Sequence, residues 1–395
     1  MLIGSCRIYV LAKNNSTTIE QELLNDSKEL IGSIISLDIP GKGVDENKLE
    51  SENAFDDTQK KEQDVIISEH VETAIDGEIS ISFAGDVLFD PNYSVYSSYL
   101  SRGQDVEACF TKDVLNEMRN SDIMMLNNEF PYSDRGTPLQ DKAYTFRAPT
   151  NSVSLLNKLG VDIVSVANNH MYDYGEEAFT DTIDTLKNSG VAYVGGGYNI
   201  EEASKPYVIE ANGKTIAFLA ATQIERTSNP DTKSATETTP GVFRCFEPEK
   251  LIEEIKKADE LYDFVILYVH WGNESTDVLD WAQPDQARKY VKAGVDAIIG
   301  DHPHVLQGIT YMEDVPIIYS LGNFWFNSKA LDTCIVTLKI DCNENEIKEF
   351  TFKPCRQMDM KVTMLEGSEK QRVLGYMRSI SSGVNIDDYG NVTPR

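Results

Sequence analysis

The feature that most constrains the fold is a regular alternation of short apolar strands and helix-like segments, which begins near residue 77. Alternating β and α units predict an α/β fold with a mainly parallel sheet covered by helices. Two later segments, 334–340 and 347–354, alternate like an antiparallel pair. The predicted strands include Ile79–Ala84, Ile123–Leu126, Val161–Val166, Phe264–Val269 and Val295–Ile299.

The composition excludes some classes of function. The chain has 395 residues, and its 36 basic and 64 acidic side chains give a formal net charge of −28. Such an acidic surface repels phosphate backbones, so charge-driven binding of nucleic acid is not expected. The six cysteines contain no C-x-x-C pair, which argues against a cysteine zinc site. A disulfide from Cys334 to Cys342 or Cys355 stays open as an alternative to buried free thiols.

Residues 1–76 differ from the rest of the chain. They contain 7 basic and 16 acidic side chains and few apolar runs, too little apolar surface to offset chain entropy, so a mostly disordered tether is predicted. Ile3-Gly4-Ser5-Cys6 resembles a site where bacterial lipoproteins are processed and their cysteine is lipidated. The basic and apolar regions that precede such sites are missing, so a start recorded too late and an accidental match both stay open.

Polar side chains follow the predicted strands at the points where these strands end. In open α/β sheets, ligands bind beyond the carboxyl ends of the strands, so these side chains are expected to converge. Carboxylate, amide oxygen and imidazole suit Zn²⁺, Mn²⁺ or Fe, and a carboxylate can also bridge two metals. The candidates are Asp86, Glu129, Asn169, His270, His302 and His304. In His302-Pro303-His304 an extended backbone, favoured by the proline, would present both rings to one site.

Six residue blocks within about residues 78–340 together resemble a known family. They strongly resemble the bacterial capsule-synthesis family, the poly-γ-glutamate biosynthesis proteins called CapA or PgsA, which is similar to the calcineurin-like metallophosphatases. The resemblance implies a four-layer α/β/β/α sandwich that holds two metals. The blocks are Phe83-Ala84-Gly85-Asp86, Asn127-Asn128-Glu129, Ala167-Asn168-Asn169-His170 with Asp173-Tyr174-Gly175, His270-Trp271-Gly272-Asn273-Glu274, Gly300-Asp301-His302-Pro303-His304 and Ser320-Leu321-Gly322-Asn323-Phe324.

The same resemblance implies a division of the chain and a role for each site residue. The expected domains are the tether at 1–76, a metallophosphatase-like domain at 77–360 and a C-terminal appendage at 361–395. One metal would be bound by Asp86 and His304, a second by Asn169, His270 and His302, with Glu129 as the bridge. His170 would protonate the leaving group, oriented by Asp173. Contacts to the metal ligands or to the substrate are expected from Asn128, Arg147, Glu274 and Asn323, with Glu274 orienting His270.

One position departs from the metallophosphatase pattern. Two residues after the first aspartate, where metallophosphatases usually carry a histidine, this chain has Leu88. Leucine has no ligand atom, so the first metal site would take water, Asn127 or Asn128 as a further ligand, or would stay weakly occupied. The resemblance therefore implies a divalent metal centre with one or two of Mn, Zn or Fe, and leaves the number of ions open.

The expected function is hydrolysis of a phosphoester by metal-activated water within capsule or poly-γ-glutamate biosynthesis. One alternative is a non-catalytic, membrane-anchored accessory protein for synthesis or export of a polyanionic polymer. A weaker alternative is a γ-glutamyl peptidase. The expected partners are an anionic small molecule or polymer and membrane proteins of a capsule synthesis complex. The expected location is outside the cytoplasm, anchored to the membrane.

Overall fold

A computed structural model describes residues 65–224 and 232–395. The predicted disorder of residues 1–64 and the lipidation of Cys6 lie outside these residues. The described strands are β1 (Glu69–Val71), β2 (Glu78–Val87), β3 (Ile123–Asn128), β4 (Ile163–Ser165), β5 (Ala192–Val194), β6 (Gly196–Gly197), β7 (Tyr207–Ala211), β8 (Lys214–Thr222), β9 (Gly241–Val242), β10 (Phe264–His270), β11 (Ala297–Asp301), β12 (Ile309–Met312), β13 (Val315–Ile318), β14 (Asn323–Trp325), β15 (Leu331–Asp341), β16 (Glu346–Met358), β17 (Lys361–Met364), β18 (Val384–Ile386) and β19 (Val392–Pro394).

The described helices are α1 (Ser94–Ser101), α2 (Lys112–Asn120), α3 (Ser154–Leu159), α4 (Glu176–Ser189), α5 (Ile200–Ser204), α6 (Glu249–Leu261), α7 (Ala282–Val291) and α8 (Gly367–Ile380), with a 3₁₀ helix at Thr150–Val153. Helix α3 ends at Gly160, whose φ of +77° closes the last turn in the left-handed region. Among the described residues, no helix combines the length and the apolar composition that crossing a membrane requires.

Two mixed sheets face each other. Among the described strands, one sheet has the order β1-β7-β8-β10-β11-β13-β12, and the other has β17-β16-β15-β2-β3-β4-β5, with β14 added beside β2. Strands β8, β10, β11 and β13 are parallel, as are β2, β3, β4 and β5. The predicted antiparallel pair is confirmed, because β15 and β16 pair in that direction.

Apolar side chains fill three layers. Phe83 and Met125 of one sheet meet Ile266 and Tyr268 of the other in the central layer. Helices α1 to α4 cover the outer face of the sheet that contains β2. Helices α5 to α7 cover the outer face of the sheet that contains β8. The predicted fold class, a four-layer α/β/β/α sandwich, is therefore confirmed for the described residues.

Aspartates just before two parallel strands fix the register of their neighbours. The Oδ2 atom of Asp162 accepts a hydrogen bond from the backbone N–H of Met124 at 2.7 Å. In the other sheet, Asp296 Oδ2 accepts from the N–H of Val265 at 2.7 Å. Burial raises the pKa of each of these carboxyls to about 6. Each carboxylate thus accepts a hydrogen bond from a backbone N–H near the start of a strand, and its buried position removes it from water.

The folded chain begins earlier than the predicted boundary at residue 77. Strand β1 pairs in parallel with β7, with Glu69 opposite Ile209. The connection to β2 is held by the backbone N–H of Ala74, which donates to Asp122 Oδ1 at 2.7 Å. Sequence periodicity cannot reveal such a strand, because it is three residues long and mostly exposed.

The segment 361–395, predicted as an appendage, packs against the sandwich. Strand β17 extends one sheet beside β16, and α8 buries Val373, Leu374 and Met377 in the central core. Arg372 of α8 also makes a two-pronged ion pair with Asp332, with both N–O distances at 2.8 Å. The segment is thus continuous with the domain that precedes it.

The described cysteines are free. The β15–β16 register places Cys334 opposite Pro354, and Cys355 opposite Thr333. Cys334 lies in the central core and Cys355 in the outer layer beneath α1 to α4. The two thiols therefore face opposite sides of their sheet, which accounts for the absence of a bridge between them in the described part of the chain.

Candidate metal centre

The structure brings together all the side chains predicted as metal ligands, at the carboxyl ends of strands from both sheets. Asp86 is the next-to-last residue of β2, and His270 is the last residue of β10. Glu129 follows β3, Asn169 lies beyond β4, and the two histidines of the His-Pro-His segment follow β11. The crevice at this sheet edge is the place where the strand ends predicted a site.

Two groups of predicted ligands are in contact. His304 Nδ1 lies 3.1 Å from Asp86 Oδ2. His270 Nε2 lies 2.8 Å from Asn169 Oδ1 and 3.0 Å from His302 Nδ1. These contacts join residues that the family resemblance assigns to the same metal ion, and the assignment itself stays a prediction. By distance alone other groupings also qualify, because the ligand atoms of Glu129, His302 and His304 lie within 4.8 Å of one another.

Glu129 lies at the centre of the cluster. Its side chain is fully buried, and its Oε1 lies 3.7 Å from His270 Nε2, 3.9 Å from His170 Nε2 and 4.0 Å from His304 Nε2. Neither carboxylate oxygen has a hydrogen-bond partner among the described residues. A buried carboxylate without partners is strongly disfavoured unless a cation compensates it. Its surroundings of imidazole nitrogens and a second carboxylate fit a divalent metal ion.

The electrostatics of the cluster support this fit. Burial raises the pKa of Glu129 well above its usual range, and the charges of Asp86 and Asp301 raise it further. Burial also lowers the pKa of His270 to about 3 and that of His302 well below its usual value. These imidazoles are therefore neutral, the form that binds metal. A cation among the carboxylates would favour their ionised forms.

Two glycines allow the backbones around the centre to approach closely. A Cβ atom on Gly85 would lie 1.9 Å from the carbonyl oxygen of Gly322, and one on Gly300 would lie 2.2 Å from that of Tyr319. Each glycine directly precedes an aspartate of the cluster, Asp86 or Asp301. The two Gly-Asp pairs thus let neighbouring strands bring their acidic residues into one small volume.

The sequence predicted an extended His-Pro-His segment, and this prediction is wrong. His302 has a φ of +96° and His304 a φ of +58°, so both lie in the left-handed region. The chain turns sharply after β11, and this turn brings the two rings to a centroid distance of 5.8 Å. Both rings therefore reach the centre through an unfavourable backbone conformation that the surrounding structure maintains.

Asp301 is a site residue that the sequence interpretation missed. His270 Nδ1 lies 2.9 Å from Asp301 Oδ1, and the two residues are opposite each other on β10 and β11. The partner of His270 is thus Asp301 and not Glu274, which is exposed. A carboxylate on one ring nitrogen leaves the other nitrogen free to bind metal. The signal available in the sequence was the position of Asp301 at the end of a neighbouring strand.

His170 is held beside the centre by a chain of polar contacts. Its Nδ1 lies 2.7 Å from Asp173 Oδ2, as the sequence suggested for this pair. Lys142, which the sequence interpretation did not single out, donates to Asp173 Oδ1 and to the carbonyl oxygen of Asn169, each at 2.6 Å. Its side chain is only 7% exposed. Lys142 lies on an irregular segment, so no periodicity marked it.

The hydrogen bonds near Asp86 indicate which asparagine could supply the metal ligand that Leu88 lacks. Leu88 is fully buried and supplies no polar atom. Asn127 Nδ2 donates to Asp86 Oδ1 at 2.9 Å, and its Oδ1 accepts from Asn168 at 3.0 Å. Asn128 Nδ2 donates to the carbonyl of Phe130, and its Oδ1 has no partner among the described residues. Of the two asparagines, Asn128 therefore has the oxygen that is available.

The remaining predicted contacts divide into two groups. Asn323 Oδ1 lies 2.8 Å from His304 Nδ1 and thus supports a candidate ligand. The Arg147 guanidinium lies 4.1 Å from the centroid of the Tyr174 ring and donates to the carbonyl oxygen of Arg135. Arg147 is not among the residues that line the adjacent cleft, so its predicted substrate contact stays a prediction.

A cleft of about 400 Å³ opens onto the centre. His170, His304 and Asn323 form its inner end, and Glu274 lies among its outer residues. Its volume is within the range of small-molecule sites. The cleft thus gives a ligand access to His170 and to one group of candidate metal ligands.

The α/β/β/α sandwich holds its buried histidine–carboxylate cluster at the carboxyl ends of strands from both sheets. A model of the family described as bacterial capsule synthesis protein PGA_cap matches residues 80–328. The chain belongs to this family of bacterial capsule synthesis proteins, and the predicted resemblance is confirmed.

Two capsule biosynthesis proteins agree with this assignment. The chain is 30% identical to the PGA biosynthesis protein CapA of Bacillus subtilis (strain 168) over 304 residues, 74% of this chain and 77% of that protein. It is 31% identical to the capsule biosynthesis protein CapA of Bacillus anthracis over 240 residues, 58% of this chain and 57% of that protein. A solved structure described as a novel phosphatase from Mycoplasma pneumoniae is 15% identical, with a TM-score of 0.46, and the match covers 72% of this chain and 96% of that one.

Proposed function

We propose that the protein hydrolyses a phosphoester by metal-activated water and that it does so in capsule or poly-γ-glutamate biosynthesis. The observation that carries this proposal is the Glu129 carboxylate, which is fully buried between three imidazoles and has no hydrogen-bond partner among the described residues. A polar group in this state is suited to a cation. The names of the similar proteins support the biosynthetic role.

The donor set favours one or two ions of Mn, Zn or Fe. Carboxylate and neutral imidazole ligands are compatible with each of these metals. The residues that would hold them are Asp86, His304, Asn169, His270 and His302, with Glu129 between the two groups. A divalent ion there would supply Lewis acidity, which lowers the pKa of a water molecule and offsets charge on a phosphoryl group.

His170 is proposed as the proton donor to the leaving group. Asp173 fixes its Nδ1, and Nε2 is directed toward Glu129 at the inner end of the cleft. Burial lowers the pKa of His170, whereas the charge of Asp173 raises it. The negative charge of a phosphoester in the cleft would raise it further and favour the protonated form. Such proton donation contributes a factor of roughly 10²–10⁴ to a rate.

The test compares His170→Asn with a matched control, His70→Asn, because His70 lies on the edge strand β1 and its side chain is 72% exposed. With added Mn²⁺ or Zn²⁺, the His170 variant should keep its metal and lose turnover, most strongly on substrates with poor leaving groups. The His70 variant should match the wild type. Loss of metal from His170→Asn, or equal loss of rate with good and poor leaving groups, would contradict the role.

A second candidate is a non-catalytic accessory protein that uses the same centre to bind carboxylates of a polyanionic polymer. It is favoured by Leu88, which places a buried apolar side chain where a further ligand is expected. Equilibrium binding of poly-γ-glutamate without turnover of phosphoesters or γ-glutamyl peptides would support it. Rapid phosphoester turnover that needs the metal would exclude it as the main function.

We further propose that the protein is anchored outside the cytoplasm beside membrane proteins of a capsule synthesis complex. The support is the Ile3-Gly4-Ser5-Cys6 segment and the acidic stretch that follows it. Labelling with a radioactive fatty acid in cells would test the anchor directly. Label that disappears in Cys6→Ala is expected, and an unlabelled wild-type protein in the soluble fraction would contradict the proposal.

A further inference from the structure

The cleft beside the metal centre has aromatic walls. Its lining includes Tyr93, Tyr144, Phe146 and Phe326. Phe146 packs edge to face against Tyr93 and Phe326, with ring centroids 5.0 Å and 5.3 Å apart. Tyr144 is 65% exposed at the outer part of the cleft. An exposed aromatic side chain at the rim of a cleft offers contact area to a ligand.

These walls continue into the candidate centre. The Phe146 ring lies over His170 with a centroid distance of 4.2 Å, and the Phe326 ring lies over His304 at 4.9 Å. Both pairs are tilted by about 30° from parallel. A group attached to a phosphoryl at the centre would therefore extend through the cleft in contact with aromatic rings.

The cleft has little positive charge with which to bind a polyanion. Apart from its two histidines, the described lining contains one cation, Lys329, and one carboxylate, Glu274. These opposite charges give the lining no excess positive charge, and the whole chain carries a formal charge of −28. Further anionic groups of a substrate would find no surplus of cations in this lining, whereas a single phosphoryl group would have its charge offset at the centre.

We infer that the substrate is a phosphoester with a single anionic group whose leaving alcohol carries an aromatic or apolar moiety. This inference rests on the proposed phosphoester hydrolysis and deepens it. The phosphoryl group binds at the metal centre, and the moiety lies against Tyr93, Tyr144 and Phe326. The cleft volume of about 400 Å³ accommodates one such group and not an extended polymer.

The test measures binding of two non-hydrolysable probes, benzylphosphonate and methylphosphonate, to the Mn²⁺-loaded full chain by titration calorimetry. Benzylphosphonate should bind at least about tenfold more tightly, which is the effect expected from burying one aromatic ring. Tyr144→Ala should reduce this ratio about threefold or more. Tyr389→Ala, which removes a tyrosine that is 76% exposed and lies outside the cleft lining, should leave the ratio unchanged.

Failure of this inference is distinguishable from failure of the proposed function. Equal affinity for the two probes, or tighter binding of a bisphosphonate with two anionic groups, would overturn the inference even if small phosphoesters were hydrolysed. A preference for benzylphosphonate that Tyr144→Ala and Tyr389→Ala reduce equally would also overturn it. A Tyr144-dependent preference in a protein without turnover would uphold the substrate-binding cleft and contradict the hydrolytic function.

Discussion

Lys142 provides a sharp test of how the structure holds His170, because its ammonium group links two parts of the site. Its Nζ donates to Asp173 Oδ1 and to the carbonyl oxygen of Asn169, each at 2.6 Å, and its side chain is 7% exposed. Lys142→Met keeps the length of the side chain and removes the charge. The fully buried Asp173 carboxylate then loses its cationic partner.

The expected loss of stability follows from burial. Removing one partner of a buried ion pair destabilises a protein by about 3–5 kcal/mol. Asp173 retains its contacts with the backbone N–H of Phe146 and with His170 Nδ1, both at 2.7 Å, so we expect the lower end, about 3 kcal/mol. The matched control is Lys187→Met, because Lys187 pairs with Glu202 at 2.7 Å but is 45% exposed. That change should cost less than about 1 kcal/mol.

Urea unfolding of the two variants measures the difference, and steady-state kinetics measure its consequence. Because Lys142 fixes the turn that carries Asn169 and His170, turnover of a phosphoester should fall about 100-fold with little change in KM. Lys142→Arg retains the charge and should recover part of the rate. The reasoning is refuted if Lys142→Met loses no more stability than Lys187→Met, or if its turnover equals that of the wild type.

Asp301→Asn should weaken Mn²⁺ binding by about 10- to 100-fold, because an amide orients the His270 ring less firmly than a carboxylate; unchanged affinity in titration calorimetry would show that Asp301 has no such role. Asp296 has a pKa of about 6 in the folded protein, above its ordinary 3.8, so the wild type loses stability as the pH rises from about 4 to about 6. Asp296→Asn lacks this loss, so its stability relative to the wild type should increase by about 2 kcal/mol between pH 4 and 7 in urea unfolding, and a pH-independent difference would contradict the assignment. Removing residues 1–64 should leave the melting temperature of the folded domain unchanged, whereas removing residues 1–76 also deletes β1 and should lower it by several degrees; identical melting curves would speak against a stabilising role for β1.

Much of the fold and centre was predictable, because the polar residues stand directly after apolar strands. Strands such as Phe264–His270 are buried on both faces and read as continuous apolar runs. The carboxyl ends of parallel strands share one edge of a sheet, so the order of the elements predicted that Asp86 and Glu129 converge. His270 comes from the facing sheet, and its approach depends on how the two sheets pack. Because parallel strands run in the same direction, the residue that follows each strand in the sequence can be placed at a known edge of the sheet.

Other features depend on contacts that the sequence does not encode locally. Lys142 meets Asp173 across 31 residues, through an irregular segment without periodicity. The positive φ angles of His302 and His304 arise from the turn after β11, which propensity alone would oppose. Strand β1 forms by pairing with β7 and has little buried apolar surface of its own. Each of these features is determined by the assembled fold and not by its own segment.

The central claim is that the buried cluster around Glu129 binds a divalent metal ion. The most direct test is elemental mass spectrometry of protein purified without chelator, comparing the wild type with the His302→Ala/His304→Ala double variant. The account predicts at least about one equivalent of Mn, Zn or Fe per wild-type chain. It predicts loss of most of this metal in the double variant, with a lower melting temperature because metal stabilises the native state. The same metal content in both proteins, or a wild type that carries none and takes none up from added Mn²⁺ or Zn²⁺, would contradict it.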